Sequence, residues 1–94
     1  MELDEKEKVI MNSLFTLQLD FIRTHRSVEL DIGISSTEYT FTMTHKHYPV
    51  SHSVAISKAT LHSATIGYGE TITVTWQKMY DEIQEAVTRE GQRQ

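Results

Sequence analysis

The first quarter of the chain carries a helical pattern of apolar residues. Between Asp4 and about Thr24 they recur at spacings of four, three and four, at Ile10, Leu14, Leu17 and Phe21. This spacing places side chains along one face of an α-helix. The stripe is widened by Val9, Phe15 and Ile22.

The ends of this helix carry matching signals. Asp4 and Glu7 have capping-box spacing, and Arg23 places positive charge near the last turn, where the helix dipole favours it. We therefore predict an amphipathic N-terminal helix.

Strict alternation of apolar and polar residues follows the helix. Between Ser27 and Ser35 the apolar positions are Val28, Leu30, Ile32 and Ile34, and in the next segment they are Tyr39, Phe41 and Met43. A period of two predicts half-buried strands. The second strand could extend to His47, and the polar turn Ser35-Ser36-Thr37 predicts that the two strands form a hairpin.

A second hairpin is predicted around the only proline of the chain. Pro49 lies in Tyr48-Pro49-Val50-Ser51, at the turn position for which proline has a suitable backbone angle. Closing the turn there pairs His47 with His52, His45 with Val54 and Met43 with Ile56. This register continues one apolar row across both strands.

The segment from residue 58 to residue 75 gives a weaker pattern. Residues 58 to 70 fit neither period well, and we predict a short fourth strand there, followed by a flexible turn at Gly67-Tyr68-Gly69. The β-branched residues of Thr71 to Val74 favour a last strand segment. With or without these two segments, the predicted sheet has three to five strands.

A second apolar stripe of helical spacing occupies the C-terminal part. It begins after Thr75, a favourable N-cap, and consists of Trp76, Met79, Tyr80, Ile83 and Val87. Gly91 is well placed to end the helix, and we expect residues 92–94 to form a frayed tail.

These elements predict one α+β domain over residues 1–94. It contains an N-terminal helix, an antiparallel sheet of three to five strands built from β-hairpins, and a C-terminal helix, with both helices packed on one face of the sheet. A chain of 94 residues, 38% hydrophobic and 23% charged, suits a single hydrophobic core and differs from the composition of disordered proteins.

Charge and cysteine content narrow the functional classes. The net charge of −4 repels polyphosphate at long range, and the basic segment Arg23 to Arg26 lacks interleaved aromatic residues, so nucleic-acid binding is only a second alternative. The absence of cysteine excludes disulfides and thiolate catalysis. Since the first residues are highly charged and no run of about 18 apolar residues occurs, we expect a cytoplasmic protein without a membrane partner.

Three of the five histidines lie within eight residues, at His45, His47 and His52. In the predicted register they project from one face of the sheet. Neutral imidazoles are good zinc ligands, and three of them suffice for a site with an open position. A zinc or other transition-metal site is therefore the first alternative function. Half-exposed histidines at the rim of the sheet are the more ordinary explanation of this spacing, and a pH-sensitive surface is a third.

The remaining candidates point to contact with another protein. Acidic residues at Asp81, Glu82 and Glu85 form a surface on the last helix that could dock on a basic partner. Trp76 and Tyr80 are of residue types enriched in binding hot spots, although they also suit the core of the domain.

No sequence motif supplies a nucleophile, an acid/base pair or a phosphate loop. We therefore expect a non-enzymatic interaction module without a cofactor. It would act as a regulator or inhibitor by docking its acidic helix face or a sheet edge on a protein, as phage-type inhibitors of nucleic-acid-handling proteins do. A second copy of the chain is the other possible partner.

Overall fold

A computed structural model describes residues 2–63 and 68–93. Its elements are α1 (Glu2–Thr24), β1 (Val28–Ile34), β2 (Glu38–His45), β3 (Ser51–Ser57), α2 (Lys58–Ser63) and α3 (Tyr68–Arg93). The predicted fold class is confirmed, with an N-terminal helix, a three-stranded antiparallel sheet and a C-terminal helix in one compact domain. None of the helices in these two ranges has the length and apolar content needed to cross a lipid bilayer.

The first hairpin joins β1 to β2 as the alternation predicts. Leu30 lies opposite Met43 and Ile32 opposite Phe41. The turn is held by Ser35, whose N–H donates to the carbonyl of Glu38 at 2.9 Å and whose hydroxyl accepts the N–H of Glu38 at 3.0 Å. A serine at the start of the turn thus satisfies backbone groups that the strands leave free.

The second hairpin exists, but its predicted register is wrong. Met43 lies opposite His52 instead of Ile56. β2 ends at His45, whose N–H donates to the carbonyl of Val50 at 2.9 Å, so the loop is wider than a tight turn at Pro49. The shift is an even number of residues, so each side chain keeps the face that the alternation predicts.

The core lies between one face of the sheet and the helices. Its buried apolar residues are Ile10, Leu14, Phe21, Val28, Leu30, Tyr39, Phe41, Met43, Leu61, Ile72, Trp76, Met79 and Ile83. α1 packs on β1, whereas α3 packs on β2 and β3 and against α1. The opposite face of the sheet carries polar residues, including the exposed Glu29 and Asp31 on β1.

The predicted fourth strand is wrong for residues 58–63, which form α2, and for residues 68–70, which begin α3. Residues 64–67 lie outside the described part of the chain. Ser57 caps α2 by accepting the N–H of Thr60 on its hydroxyl oxygen at 3.0 Å, and Leu61 is buried. Lys58 joins α2 to α1, since its Nζ lies 2.6 Å from Oε1 of Glu7. The N-cap, the buried Leu61 and the contact with Glu7 together position this short helix.

The strand predicted at Thr71 to Val74 is also wrong, because these residues lie inside α3. Ile72 is buried and precedes Trp76 by four residues, so the helical stripe begins one turn earlier than predicted. Thr75 is therefore not an N-cap, and its hydroxyl donates within the helix to the carbonyl of Thr71 at 2.8 Å. Burial of Ile72 outweighs the β-propensity of its neighbours.

The limits of α3 also differ from the prediction. Tyr68 and Gly69 belong to its first turn instead of a flexible turn, and Gly67 lies outside the described residues. The helix does not end at Gly91 but continues to Arg93. Of the predicted tail, residue 94 lies outside the described part of the chain.

Candidate functional site

The three clustered histidines do not share one site. The ring centroids of His45 and His47 are 5.8 Å apart, whereas His52 turns to α3 and places its Nε2 2.7 Å from Oε2 of Glu82. His45 is buried, at 8% exposure, and His47 is exposed. The corrected register separates His52 from the position opposite His47 on which the predicted cluster depends.

His45 organises the loop between β2 and β3. Its Nδ1 accepts the N–H of His47 at 3.0 Å and that of Tyr48 at 3.3 Å. An atom that accepts two hydrogen bonds carries no proton, so the neutral ring has its proton on Nε2. Burial, and then the charge of the neighbouring His47, hold the pKa of His45 below its usual value, which agrees with this neutral state.

This use of Nδ1 bears on the predicted zinc site. A metal on Nε2 of His45 would move the proton to Nδ1 and break both loop hydrogen bonds. Among the described residues, no group of three or more His, Asp or Glu side chains is arranged to hold a metal ion. Zinc binding stays a prediction, which this arrangement does not favour and which a metal titration followed by thermal melting would test.

Trp76 and Tyr80 anchor α3 in the core. Trp76 is 1% exposed, and its ring packs edge-on against Phe41, with centroids 5.4 Å apart. Tyr80 is half-buried against His25 and Phe21, at centroid distances of 4.4 Å and 6.3 Å. Trp76 is therefore not accessible to a partner of the folded domain, and Tyr80 offers only part of its ring.

The acidic residues of α3 do form an exposed surface. Asp81, Glu82 and Glu85 are all exposed and fall within about one turn of the helix. Two of them have partners within the domain, since Asp81 accepts a hydrogen bond from Gln77 at 3.1 Å and Glu82 pairs with His52. Part of this negative charge is therefore already engaged.

A buried polar pair under α2 has no counterpart in the sequence predictions. The hydroxyl of Tyr39 lies 2.7 Å from Nε2 of His62, and Tyr39 is fully buried. Burial, and then the charge of Glu7, raise the pKa of Tyr39, so its hydroxyl stays protonated and shares a hydrogen bond with His62. Because Tyr39 is closed to solvent, we interpret the pair as a fastening of α2 to the sheet.

An exposed apolar strip along α1 was also missed. Phe15 and Leu19 are 52% and 57% exposed, and the half-buried Ile22 continues the same side of the helix. We call these three residues the apolar flank. Phe15 and Val9, itself 57% exposed, do not widen the buried stripe as predicted. The sequence shows a broad apolar stripe but not which part of it the sheet and α3 cover.

β1 is an outer strand of the sheet, and two residues of the apolar flank, Leu19 and Ile22, lie beside it. Leu19 and Ile22 line a surface groove of about 440 Å³ together with Val28 and Leu30 of β1. Its lining also includes three charged residues, Arg23, Glu29 and Lys46. The side chain of Gln18, between Phe15 and Leu19, donates from Nε2 to the carbonyl of Leu30. Among the residues that the structure describes, an apolar surface thus lies next to a strand edge with which no other strand pairs.

No protein-family model matches the chain, and searches of curated proteins and of solved structures gave no significant match.

Proposed function

We propose that this protein is a non-enzymatic interaction module that regulates or inhibits a partner protein by binding it along the β1 side of the sheet. The observation that carries the proposal is the apolar flank beside the outer edge of β1. Isolated exposed apolar residues are ordinary, but a continuous apolar strip is typical of a binding surface. The cysteine-free composition is compatible with a reducing compartment, and we place this activity in the cytoplasm.

Stability of the domain does not explain the exposed apolar flank. Phe15 and Leu19 project from α1 with more than half of their surface in water, while the core is formed by other residues of the same helix. A partner that covers Phe15 and Leu19 would remove apolar area from water, and each Å² removed would stabilise the complex by about 25 cal/mol. A binding role accounts for both residues.

The acidic surface of α3 is the other predicted docking face, and we assign it a secondary role. Its charges are solvated or paired within the domain, and exposed ion pairs contribute little to affinity. Negative charge on α3 would instead speed the approach of a basic partner.

Affinity capture from extracts of the source cells tests the proposal. The bait proteins are the wild type, the double variant Phe15→Ser with Leu19→Ser, and a control, Val74→Ser. Val74 is also an exposed apolar residue, at 48%, but it lies on α3. We expect a partner that is captured by the wild type and by Val74→Ser and lost with the double variant.

Two outcomes would contradict the proposal. Capture that is equal for all three baits would show that the apolar flank is not the binding surface. Capture that is lost only when Asp81→Asn is combined with Glu85→Gln would transfer the function to α3. Each variant is first checked by circular dichroism for a thermal midpoint close to that of the wild type.

A further inference from the structure

The outer edge of β1 is open for hydrogen bonding. The N–H of Lys46 donates to the carbonyl of Ser27 and the N–H of Ser35 to that of Glu38, both at 2.9 Å. Antiparallel pairing alternates, so the odd-numbered residues of β1 bond to β2 and the even-numbered ones point outward. Within residues 2–63 and 68–93 no strand pairs with that edge. We call the outward backbone groups of Leu30, Ile32 and Ile34 the open edge.

The position of Gln18 supports this orientation. Its side-chain amide donates to the carbonyl of Leu30, one of the outward groups. A side chain therefore already makes the kind of contact that the backbone of an added strand would make. If an added strand displaces Gln18, its backbone N–H replaces the hydrogen bond that Gln18 donates to the carbonyl of Leu30.

The two faces beside the open edge differ in chemistry. On the helix side, an added strand would place every second side chain against Leu19, Ile22 and the groove that they form with β1. Arg23 and Lys46 also line that groove, so the apolar side chains of the segment suit it better than its basic ones. On the other side its remaining side chains would lie next to Glu29 and Asp31, which are exposed, and β1 contains no basic residue. Opposite charges across neighbouring strands are favourable.

We propose that the open edge binds an extended segment of the partner protein in which apolar residues alternate with Lys or Arg, and that this segment forms a fourth strand beside β1. The inference rests on the proposed function and names the chemistry of the partner. Main-chain hydrogen bonds supply affinity in this mode, and alternate side chains supply specificity.

A second copy of the chain is a poorer occupant of the same edge. Two copies of β1 that pair around Leu30 place Glu29 opposite Asp31, and pairing around Asp31 places the two Asp31 residues opposite each other. Pairing around Ile32 places Asp31 opposite Gly33, and no register supplies a basic partner, because β1 contains no basic residue. Like charges directly opposite are destabilising, and each copy carries a net charge of −4. A partner with basic residues at these positions converts the same contacts into attraction.

The test is a titration of the full chain, labelled with ¹⁵N, with a synthetic peptide of seven residues, the length of β1, in which Val and Lys alternate. We expect the amide signals of Leu30, Ile32 and Ile34 to shift, and those of Ser53 and Ala55 on β3 to stay. Three control peptides have Glu in place of Lys, the Val and Lys residues in two blocks, or N-methyl groups on alternate amides. All three are expected to bind at least about tenfold more weakly.

Reversing the charge of the strand completes the test. The variant Glu29→Lys with Asp31→Lys is expected to weaken binding of the Val-Lys peptide about tenfold and to strengthen that of the Val-Glu peptide. Both residues are exposed, and Glu29→Gln with Asp31→Asn is a milder pair that should give an intermediate affinity.

Several results would overturn the inference. They are binding that is insensitive to N-methylation, shifts confined to β3 or α3, no binding of the Val-Lys peptide, or a dimer of the free protein in sedimentation that is lost with Ile32→Lys. If the peptide fails while cell-extract capture still depends on Phe15 and Leu19, the interaction module stands and only the added strand is disproved.

Discussion

The two edges of the sheet are built differently. Beside β1 lie the apolar side chains of α1, and one glutamine contacts the backbone of the strand. The outward positions of β3 are Ser51, Ser53, Ala55 and Ser57, and the neighbouring groove is lined by charged residues of α3. A contact of 2.7 Å between Nε2 of His52 and Oε2 of Glu82 joins β3 to that helix.

The difference shows how one edge of a small sheet can resist pairing with another strand while the other edge stays available for it. Unpaired strands invite association, and proteins usually cover them with polar or charged groups. The β3 edge follows this rule with serines and nearby charges. The β1 edge carries Glu29 and Asp31 on one face. On the other face, apolar residues of α1 and β1 line a groove to which Arg23 and Lys46 also contribute, and this mixed surface suits a binding site.

Both edges depend on the same core, and a large-to-small substitution in that core gives the largest expected effect on stability. Trp76→Ala removes a fully buried ring that packs on Phe41 and Phe21, and we expect the free energy of unfolding to fall by about 3–5 kcal/mol. Urea denaturation measures this loss. Hydrogen exchange should then accelerate on β1 and β3 alike. Trp76→Phe, which keeps an aromatic ring, is the control with a smaller loss, and a variant that destabilised only one edge would contradict a shared core.

Tyr39→Phe should affect mainly the β3 side. It leaves Nε2 of the half-buried His62 without the hydroxyl of Tyr39, and we expect a loss of about 1–2 kcal/mol in urea denaturation. Because the pair fastens α2, amide exchange should accelerate in residues 58–63 and at the end of β3. Unchanged stability would show that water replaces the hydroxyl.

Gln18→Ala sharpens the comparison from the β1 side. The variant loses one hydrogen bond to the carbonyl of Leu30, and we expect a loss of about 1 kcal/mol. The same carbonyl becomes free for an added strand, so the affinity for the Val-Lys peptide should be kept or increased. Lower affinity together with lower stability would mean that Gln18 forms part of the binding surface.

His45 makes the loop at the β2–β3 end sensitive to acid. Its pKa is lowered by burial, so as the pH falls through its ordinary value of 6.5 the unfolded chain binds a proton that the folded chain resists. The stability contributed by neutral His45 is complete above that pH and decreases below it. His45→Asn keeps an acceptor for the loop amides and should flatten the decrease in unfolding free energy between pH 7 and pH 5. Parallel curves for the two proteins would disprove this role.

The smallest effect on stability is expected at the apolar flank itself. Phe15→Ser and Leu19→Ser replace exposed side chains, so each should change the unfolding free energy by no more than about 0.5 kcal/mol, as should Val74→Ser. Thermal melting checks this. A loss of 2 kcal/mol or more would assign Phe15 to the core instead of a binding surface.

The parts of the fold that the sequence predicts well are those with one unambiguous period. Residues 28–34 and 38–45 alternate strictly, and both strands form with the predicted faces. The segment before Trp76 misleads because Thr71, Thr73 and Val74 have strand propensity, whereas the spacing from Ile72 to Trp76 already continues the helical stripe. In this segment the helical spacing of the apolar residues determines the structure, and the strand propensity of the single residues does not.

The candidate site is less predictable, for two physical reasons. The width of the second hairpin depends on a side chain, since Nδ1 of His45 binds two loop amides, and residue composition does not reveal that contact. The apolar flank depends on tertiary packing. Phe15 and Leu14 are adjacent and equally apolar in the sequence, yet only Leu14 is covered in the fold.

Hydrogen exchange at single amides tests the difference between the two edges most directly. In the free protein the amides of Ile32 and Ser53 both point outward and should exchange faster than their neighbours Asp31 and Val54, which are bonded to β2. With the Val-Lys peptide bound, we expect strong protection of Ile32 and none of Ser53. Equal protection of both amides, or protection of Ser53 alone, would contradict this expectation.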